Sequence, residues 1–183
     1  NSMPKEARDT ITKELGVEPI MINAALVSAQ NRKRLFWTNI PNITQPTDRG
    51  IVLKDVIQPK VDDGFTVKPK SNTVRSSGRG SGINDKHNWD TLCIIQTPRG
   101  KNQGGKRALN GKVPTLSASS WEHNNKLSNN GIIRKLTPVE CERLQTLPDN
   151  YTEGVSNTQR YKTLGNAFTV EVITHILKRI ANQ

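Results

Sequence analysis

The sequence predicts an α/β fold, and three observations support this prediction. An amphipathic helix pattern opens the chain over residues 4–15, and strand patterns follow at 19–22 and 32–39. A capped helix and a final amphipathic helix close the chain after residue 137. Helices that precede and follow strands in this way are typical of a sheet covered by helices.

The first helix has signals at both ends. Pro4 lies in the first turn, where its missing N–H is not needed, and Ala7, Ile11 and Leu15 follow at a spacing of four. Gly16 then ends the pattern.

The middle of the chain contains one convincing strand, at residues 91–96, between loop-like segments. Residues 68–112 carry ten basic side chains against only Asp85 and Asp90, scattered among Gly, Ser, Asn and Pro. This composition predicts loops that present positive charge, and a plain solvated face is the alternative.

The last segment begins with a capping box, in which Thr137 and Glu140 satisfy each other's backbone N–H groups. The helix after it should run through Gln145 and end before Pro148. Taken alone, the pair Gly165-Asn166 indicates a left-handed turn before the final helix. That helix carries an apolar stripe that something must cover, formed by Val170, Ile173, Ile176, Leu177 and Ile180.

Composition narrows the class of protein. The 183 residues carry a formal charge of +11, which favours a polyanionic partner such as nucleic acid. The two cysteines, Cys93 and Cys141, exclude a disulfide scaffold and fit a reducing, cytoplasmic compartment. No apolar run approaches the ~20 residues of a spanning helix. His87, His123 and His175 have no spaced partners, so no metal site is expected.

A cluster of polar side chains is the most informative local feature. If the chain is extended from residue 30, then Gln30, Arg32 and Arg34 project to one face, because strand side chains alternate. Two guanidinium groups and an amide there would suit a carbonyl or a phosphate. On spacing alone, a solvated basic edge strand is the favoured alternative.

Three ordered segments resemble the eighth, ninth and tenth motifs of the DNA (cytosine-5) methyltransferases. They are SAQNRKRLFWTN, RKLTPVECERLQTLPDNYT and RYKTLGNAFTVEVI, and they look most like the phage and animal de novo branch. The resemblance implies the C-terminal portion of a Rossmann-like methyltransferase domain that uses S-adenosylmethionine. Residues 1–41 would end the catalytic domain, residues 42–130 would form an inserted, mostly β and loop target-recognition domain, and residues 131–183 would return to the catalytic domain.

The resemblance also implies the chemistry, in which a cytosine is flipped out of duplex DNA and methylated at C5. Arg34 would donate to the O2 of that cytosine, Arg32 would orient the catalytic loop and a phosphate, and Gln30 would support both. Cofactor contacts would come from Asn166, Ala167 and Phe168. Many relatives have Ser at position 167, so Ala167 can contribute only its backbone.

Contacts to double-stranded DNA are expected from the basic loops, since Lys and Arg neutralise phosphates and Arg reads guanine edges. The candidate residues are Arg75, Arg79, Arg99, Lys101, Lys106, Arg107 and Ser117. The run from Gly78 to Gly82 does not follow an apolar strand, so it fails the context of a nucleotide-binding loop.

The nucleophile and the glycine-rich cofactor loop of the resembled family are not found in these residues. Neither cysteine follows a proline, and both are expected to be buried apolar residues. We therefore expect an N-terminal half, in a separate chain or a missing segment, to complete the enzyme. Two alternatives stay open: a non-catalytic DNA-binding module and an RNA methyltransferase.

Overall fold

The computed structural model describes residues 3–61, 92–96, 105–107, 111–117, 125–129 and 132–181. Within these ranges the chain mixes helices and strands, which confirms the predicted α/β character. The helices of this part are α1 (Lys5–Leu15), α2 (Leu53–Val56), α3 (Pro138–Leu144), α4 (Asn157–Asn166) and α5 (Val170–Ala181). Gly16 ends α1 as predicted, and it adopts a left-handed conformation with φ of 65°.

Within the described ranges, short strands form three separate sheets. The strands are β1 (Ile20–Asn23), β2 (Gln30–Asn31), β3 (Lys33–Phe36), β4 (Cys93–Gln96), β5 (Gly105–Arg107), β6 (Val113–Pro114), β7 (Lys126–Asn129) and β8 (Ile132–Lys135). β1 pairs with β3 in antiparallel register, and β2 pairs with β6 in parallel. The third sheet has the order β5-β4-β7-β8 and is antiparallel throughout. The paired strands β7 and β8 lie on either side of residue 130, where the sequence predicts the insertion to end.

The buried apolar side chains among the described residues form two clusters. The larger joins the strands to α3 and α4, and it includes Ala29, Leu53, Ile94, Val113, Leu127, Leu144, Tyr161 and Leu164. The smaller packs Val172 and Ile176 of α5 against Ile22 of β1. Leu177 and Ile180 of the predicted stripe are instead 51% and 54% exposed. The buried face of α5 is thus rotated from the predicted stripe, and these two apolar side chains stay exposed in the part of the chain that the structure describes.

α3 begins with the capping box that the sequence predicts. The Thr137 hydroxyl accepts from the Glu140 N–H at 3.2 Å, and the Glu140 carboxylate accepts from the Thr137 N–H at 2.8 Å. Glu140 also binds both terminal nitrogens of Arg134, at 2.6 and 2.8 Å, so the helix start is tied to β8.

α4 replaces the predicted left-handed turn at Gly165-Asn166, and that prediction is wrong. Both residues continue the helix, and Gly165 is buried without a positive φ. The side chain of Ser156 caps the helix by accepting from the Gln159 N–H at 3.4 Å. Ser followed three residues later by Gln is a capping-box spacing, so the sequence carried a signal for this helix.

Glu142 of α3 is fully buried and holds the turn that leads to α4. Its carboxylate accepts from the N–H groups of Asn150 and Thr152 at 2.7 and 2.9 Å, from the Thr152 hydroxyl, and from Arg160 at 2.8 Å. Burial alone would raise the pKa of Glu142, but the hydrogen bonds from Thr152 and Arg160 outweigh it and lower the pKa below the ordinary value.

We expect Glu142→Gln to destabilise the chain by about 2 kcal/mol at neutral pH, because charge-assisted hydrogen bonds are lost. The lowered pKa means that the folded state favours the ionised carboxylate. Its contribution is complete above the ordinary pKa of 4.5 and is lost as the pH falls through the lowered folded pKa. Urea unfolding of both proteins between pH 7 and pH 3 should show their difference shrinking in acid.

The control is Asp149→Asn, since Asp149 pairs with Arg143 at the surface and should contribute less than about 1 kcal/mol. A difference between Glu142→Gln and the unsubstituted chain that stays constant down to pH 3 would contradict this account.

Candidate functional site

Gln30 lies at the centre of a buried polar network. Its side-chain oxygen accepts from the Leu116 N–H at 2.9 Å, and its amide nitrogen donates to the Leu144 carbonyl at 3.2 Å and to the Gln145 side chain at 3.4 Å. The side chain is fully buried. Gln30 therefore joins β2 to the segment after β6 and to the end of α3.

Arg32 extends the same network towards the end of α4. One terminal nitrogen donates to the Leu116 carbonyl at 2.8 Å, and the other donates to the carbonyls of Ala167 at 2.7 Å and Gly165 at 3.4 Å. Burial, and secondarily the charge of Arg34, lowers the pKa of Arg32 to about 10, so the side chain stays charged at neutral pH.

These contacts differ from the phosphate contact expected of Arg32. Both terminal nitrogens of its guanidinium already bind carbonyls of this chain. Its buried Nε has no hydrogen-bond partner among the described residues. Arg32 therefore forms an internal bridge between Leu116 and Ala167.

Arg34 does not join the buried cluster, although the sequence predicted that the three side chains converge. It lies exposed on β3, opposite Ile22 of β1, and one terminal nitrogen donates to the Lys33 carbonyl at 2.8 Å. Partial burial lowers its pKa. The structure thus places one guanidinium inside the network and the other, two residues along, at the surface.

Residues 166–169, which join α4 to α5 and begin with the last residue of α4, form a turn that presents two of the predicted cofactor residues outwards. The side chains of Asn166 and Phe168 are exposed, and Phe168 reaches 57% exposure. Ala167 between them has both backbone groups engaged: its N–H donates to Thr163 at 2.9 Å and its carbonyl accepts from Arg32. The turn is held from the inside while its outer side chains are left accessible.

Gln145 is a residue of this network that the sequence did not single out. It is fully buried at the end of α3, and its side-chain nitrogen donates to the Leu164 carbonyl at 2.6 Å. A polar residue closing an amphipathic helix looks like an ordinary surface position in sequence. Its burial depends on α4 and β2, which approach from distant parts of the chain.

Most predicted DNA contacts lie outside the described residues, namely Arg75, Arg79, Arg99 and Lys101. Lys106 and Arg107 belong to β5, of which the backbone is described, and Arg107 pairs with Ile94 across the sheet. Ser117 is exposed one residue after Leu116, the backbone partner of Gln30 and Arg32.

Cys141 is buried in the larger apolar cluster. Its burial, reinforced by the neighbouring charges of Glu140 and Glu142, raises the pKa of this thiol far above its ordinary value. Cys141 is therefore a protonated, apolar core residue. The side chain of Cys93, and both His87 and His123, lie outside the described residues.

Comparison with known proteins identifies the fold and the family. The sequence model of the C-5 cytosine-specific DNA methylases matches residues 14–182. The chain belongs to this family. A type II methyltransferase of Staphylococcus aureus, M.Sau3AI, is 31% identical over 137 residues, covering 74% of this chain and 32% of its own length. The orphan methyltransferase M.SPRI of Bacillus phage SPR is 29% identical over 157 residues, covering 76% and 34%.

A solved structure supports the fold of this C-5 cytosine methylase family member. The methyltransferase EhMeth of Entamoeba histolytica superposes with a TM-score of 0.56 over 97% of this chain and 57% of its own, at 13% sequence identity. The chain spans about a third of the length of the first two curated relatives. Across the described residues, no helix is long and apolar enough to cross a membrane.

We expect Arg32→Met to lower the free energy of unfolding by about 3 kcal/mol, because it leaves the buried carbonyls of Leu116 and Ala167 without their donor. Arg32→Lys should recover part of this loss, since an ammonium reaches fewer acceptors. The matched control is Arg34→Met, which removes an exposed guanidinium and should cost less than about 1 kcal/mol. Urea denaturation of the chain measures all three, and equal losses at positions 32 and 34 would contradict the bridge.

Proposed function

We propose that this chain forms the C-terminal part of an enzyme that methylates C5 of a cytosine flipped out of double-stranded DNA. The observation that supports this most is the Arg32 bridge, at 2.7 Å to the Ala167 carbonyl. It connects the strand that carries exposed Arg34 to the turn that exposes Asn166 and Phe168. A base-binding cation and a cofactor-binding turn are thus held by one buried contact.

The turn fits S-adenosylmethionine, which supplies an activated methyl group when it is bound. The exposed amide of Asn166 offers hydrogen bonds to the polar methionyl end, and the exposed ring of Phe168 offers apolar surface. The backbone groups of Ala167 already have partners in the chain, so the contacts fall to its two neighbours. We assign Asn166 and Phe168 to cofactor binding, with Ala167 as their support.

Arg34 is assigned to the flipped cytosine. Its exposed guanidinium is a permanent cation with planar donors, suited to the O2 of the base as negative charge develops on the ring. Gln30 and Arg32 then act behind it by fixing β2 and the turn, and Arg32 is given no phosphate contact.

We assign binding of the DNA duplex to residues 42–130, in which fourteen basic side chains outnumber seven acidic ones. The exposed Ser117 beside the network would lie where this recognition segment meets the catalytic part. The family model that matches the chain describes C-5 cytosine-specific DNA methylases, which favours DNA over RNA as the substrate.

Polypeptide outside these 183 residues is proposed to supply the nucleophile and the glycine-rich cofactor loop, as part of the same chain or as a second chain. Cys141 is buried and protonated. The side chains of Met21 in β1 and of Leu177 and Ile180 in α5 are each about half exposed. Exposed apolar side chains of this kind suit a surface that another polypeptide segment covers.

The test combines this chain with a segment that carries the nucleophile and measures transfer of labelled methyl from S-adenosylmethionine to duplex DNA. Product analysis should place the label on C5 of cytosine. Arg34→Ala should lower kcat by about 100-fold or more, the usual effect of removing one donor to a developing charge.

The matched control is Arg8→Ala, which removes an exposed arginine of α1 and should leave kcat unchanged. DNA and S-adenosylmethionine binding without any transfer would instead favour a non-catalytic DNA-binding module. Transfer to RNA alone would overturn the proposed substrate.

A further inference from the structure

Gln145 makes several hydrogen bonds to the residues that end α4 and lead into α5. Its side-chain nitrogen donates to the Leu164 carbonyl at 2.6 Å and reaches the Ala167 carbonyl at 3.5 Å. Its side-chain oxygen accepts from the Thr169 hydroxyl at 3.1 Å. The Gln145 amide therefore contacts one residue on each side of the exposed pair Asn166 and Phe168, and it also contacts the residue between them.

The orientation of this amide is determined by its partners. Carbonyl oxygens only accept, so the nitrogen must face Leu164, and the Gln30 amide nitrogen only donates, so the oxygen must face Gln30 at 3.4 Å. A flipped amide would place two donors against each other. Only a group with a donor and an acceptor at its end satisfies this site.

The backbone beside Gln145 holds the start of α5 in the same way. The Gln145 carbonyl accepts from the Val170 N–H at 3.0 Å, and the Thr146 hydroxyl accepts from the Glu171 N–H at 2.9 Å. Thr146 adopts φ of 57°, a conformation that a β-branched residue rarely takes. Such a residue persists only where its surroundings determine it, and here it places the hydroxyl against α5.

We propose that Gln145 is a positioning residue for cofactor binding, which sets the turn so that Asn166 and Phe168 face S-adenosylmethionine. This inference rests on the proposed function. Gln145 is fully buried and acts through the turn, so it has no contact with the cofactor itself. Loss of the amide should weaken cofactor binding in the ground state and the transition state alike.

This role differs measurably from a purely structural one. A positioning role predicts a raised KM for S-adenosylmethionine at nearly unchanged kcat, because the turn is misplaced in every molecule. A structural role predicts fewer folded molecules, which lowers the apparent kcat and leaves KM unchanged.

The experiment uses the complete methyltransferase that contains this chain and measures the Kd of S-adenosylhomocysteine by calorimetry, together with KM and kcat. Gln145→Leu should raise both Kd and KM about tenfold, the effect of losing one buried hydrogen bond. Gln145→Glu keeps the acceptor but not the donors, and it should bind the cofactor no better than Gln145→Leu.

Thr169 offers a milder pair of variants in case Gln145→Leu does not fold. Thr169→Val removes the hydroxyl that binds the Gln145 oxygen and should raise Kd about threefold, whereas Thr169→Ser keeps the hydroxyl and should restore the original Kd. Leu127→Ala, which is buried in the third sheet, serves as a destabilised control with unchanged Kd.

The inference is overturned if Kd and KM of the Gln145 and Thr169→Val variants equal those of the unsubstituted enzyme, or if Leu127→Ala raises Kd as much as they do. Failure of the unsubstituted enzyme to transfer methyl would overturn the proposed function instead. The Kd series still tests the turn in that case, since calorimetry needs no turnover.

Discussion

The buried guanidinium of Arg32 is the interaction on which the other contacts of the site depend. A cation without bulk water is stable only where enough oxygen atoms surround it. Here the oxygens are carbonyls of Leu116 and Ala167, at 2.8 and 2.7 Å, which are 51 residues apart in sequence. Satisfying one side chain therefore brings the segment after β6 and the end of α4 to the same place.

The neighbouring amides of Gln30 and Gln145 complete this network. A buried polar network stabilises a structure when each member has its partners, and each of these amides both donates and accepts. The consequence for function is geometric. Because Arg32 and Gln145 bind the carbonyls on the inner side of the turn, the side chains of Asn166 and Phe168 are left on the outer side.

Local signals in the sequence predicted local structure well. Gly16 ends α1, and the pair Thr137 and Glu140 starts α3, because a stop glycine and a capping box act within a few residues. The prediction of a turn at Gly165 is wrong because the helix there rests on burial of Tyr161 and Leu164, which sequence spacing suggests only weakly. The place of Gln145 was not predictable, since its partners Gln30 and Thr169 come from distant segments.

Gln30, Arg32 and Arg34 differ in burial because contacts with distant segments, and not local spacing, determine where each side chain lies. Alternation along a strand placed Gln30, Arg32 and Arg34 together, but residue 32 separates two short strands with different partners. Gln30 and Arg32 therefore turn inwards and Arg34 stays exposed. The roles of Arg34, Asn166 and Phe168, the domain boundaries and the branch of the family stay predictions.

Amide hydrogen exchange in the Arg32→Met variant tests the bridge most directly. The account predicts exchange at least about tenfold faster at Val170 and at Val113, whose N–H groups bind Gln145 and Ala29, because both segments lose their shared anchor. The β1–β3 pair, which does not depend on the bridge, should exchange at its original rate. Unchanged protection at Val170 and Val113, or an equal loss across all strands, would contradict the claim that Arg32 joins these two segments.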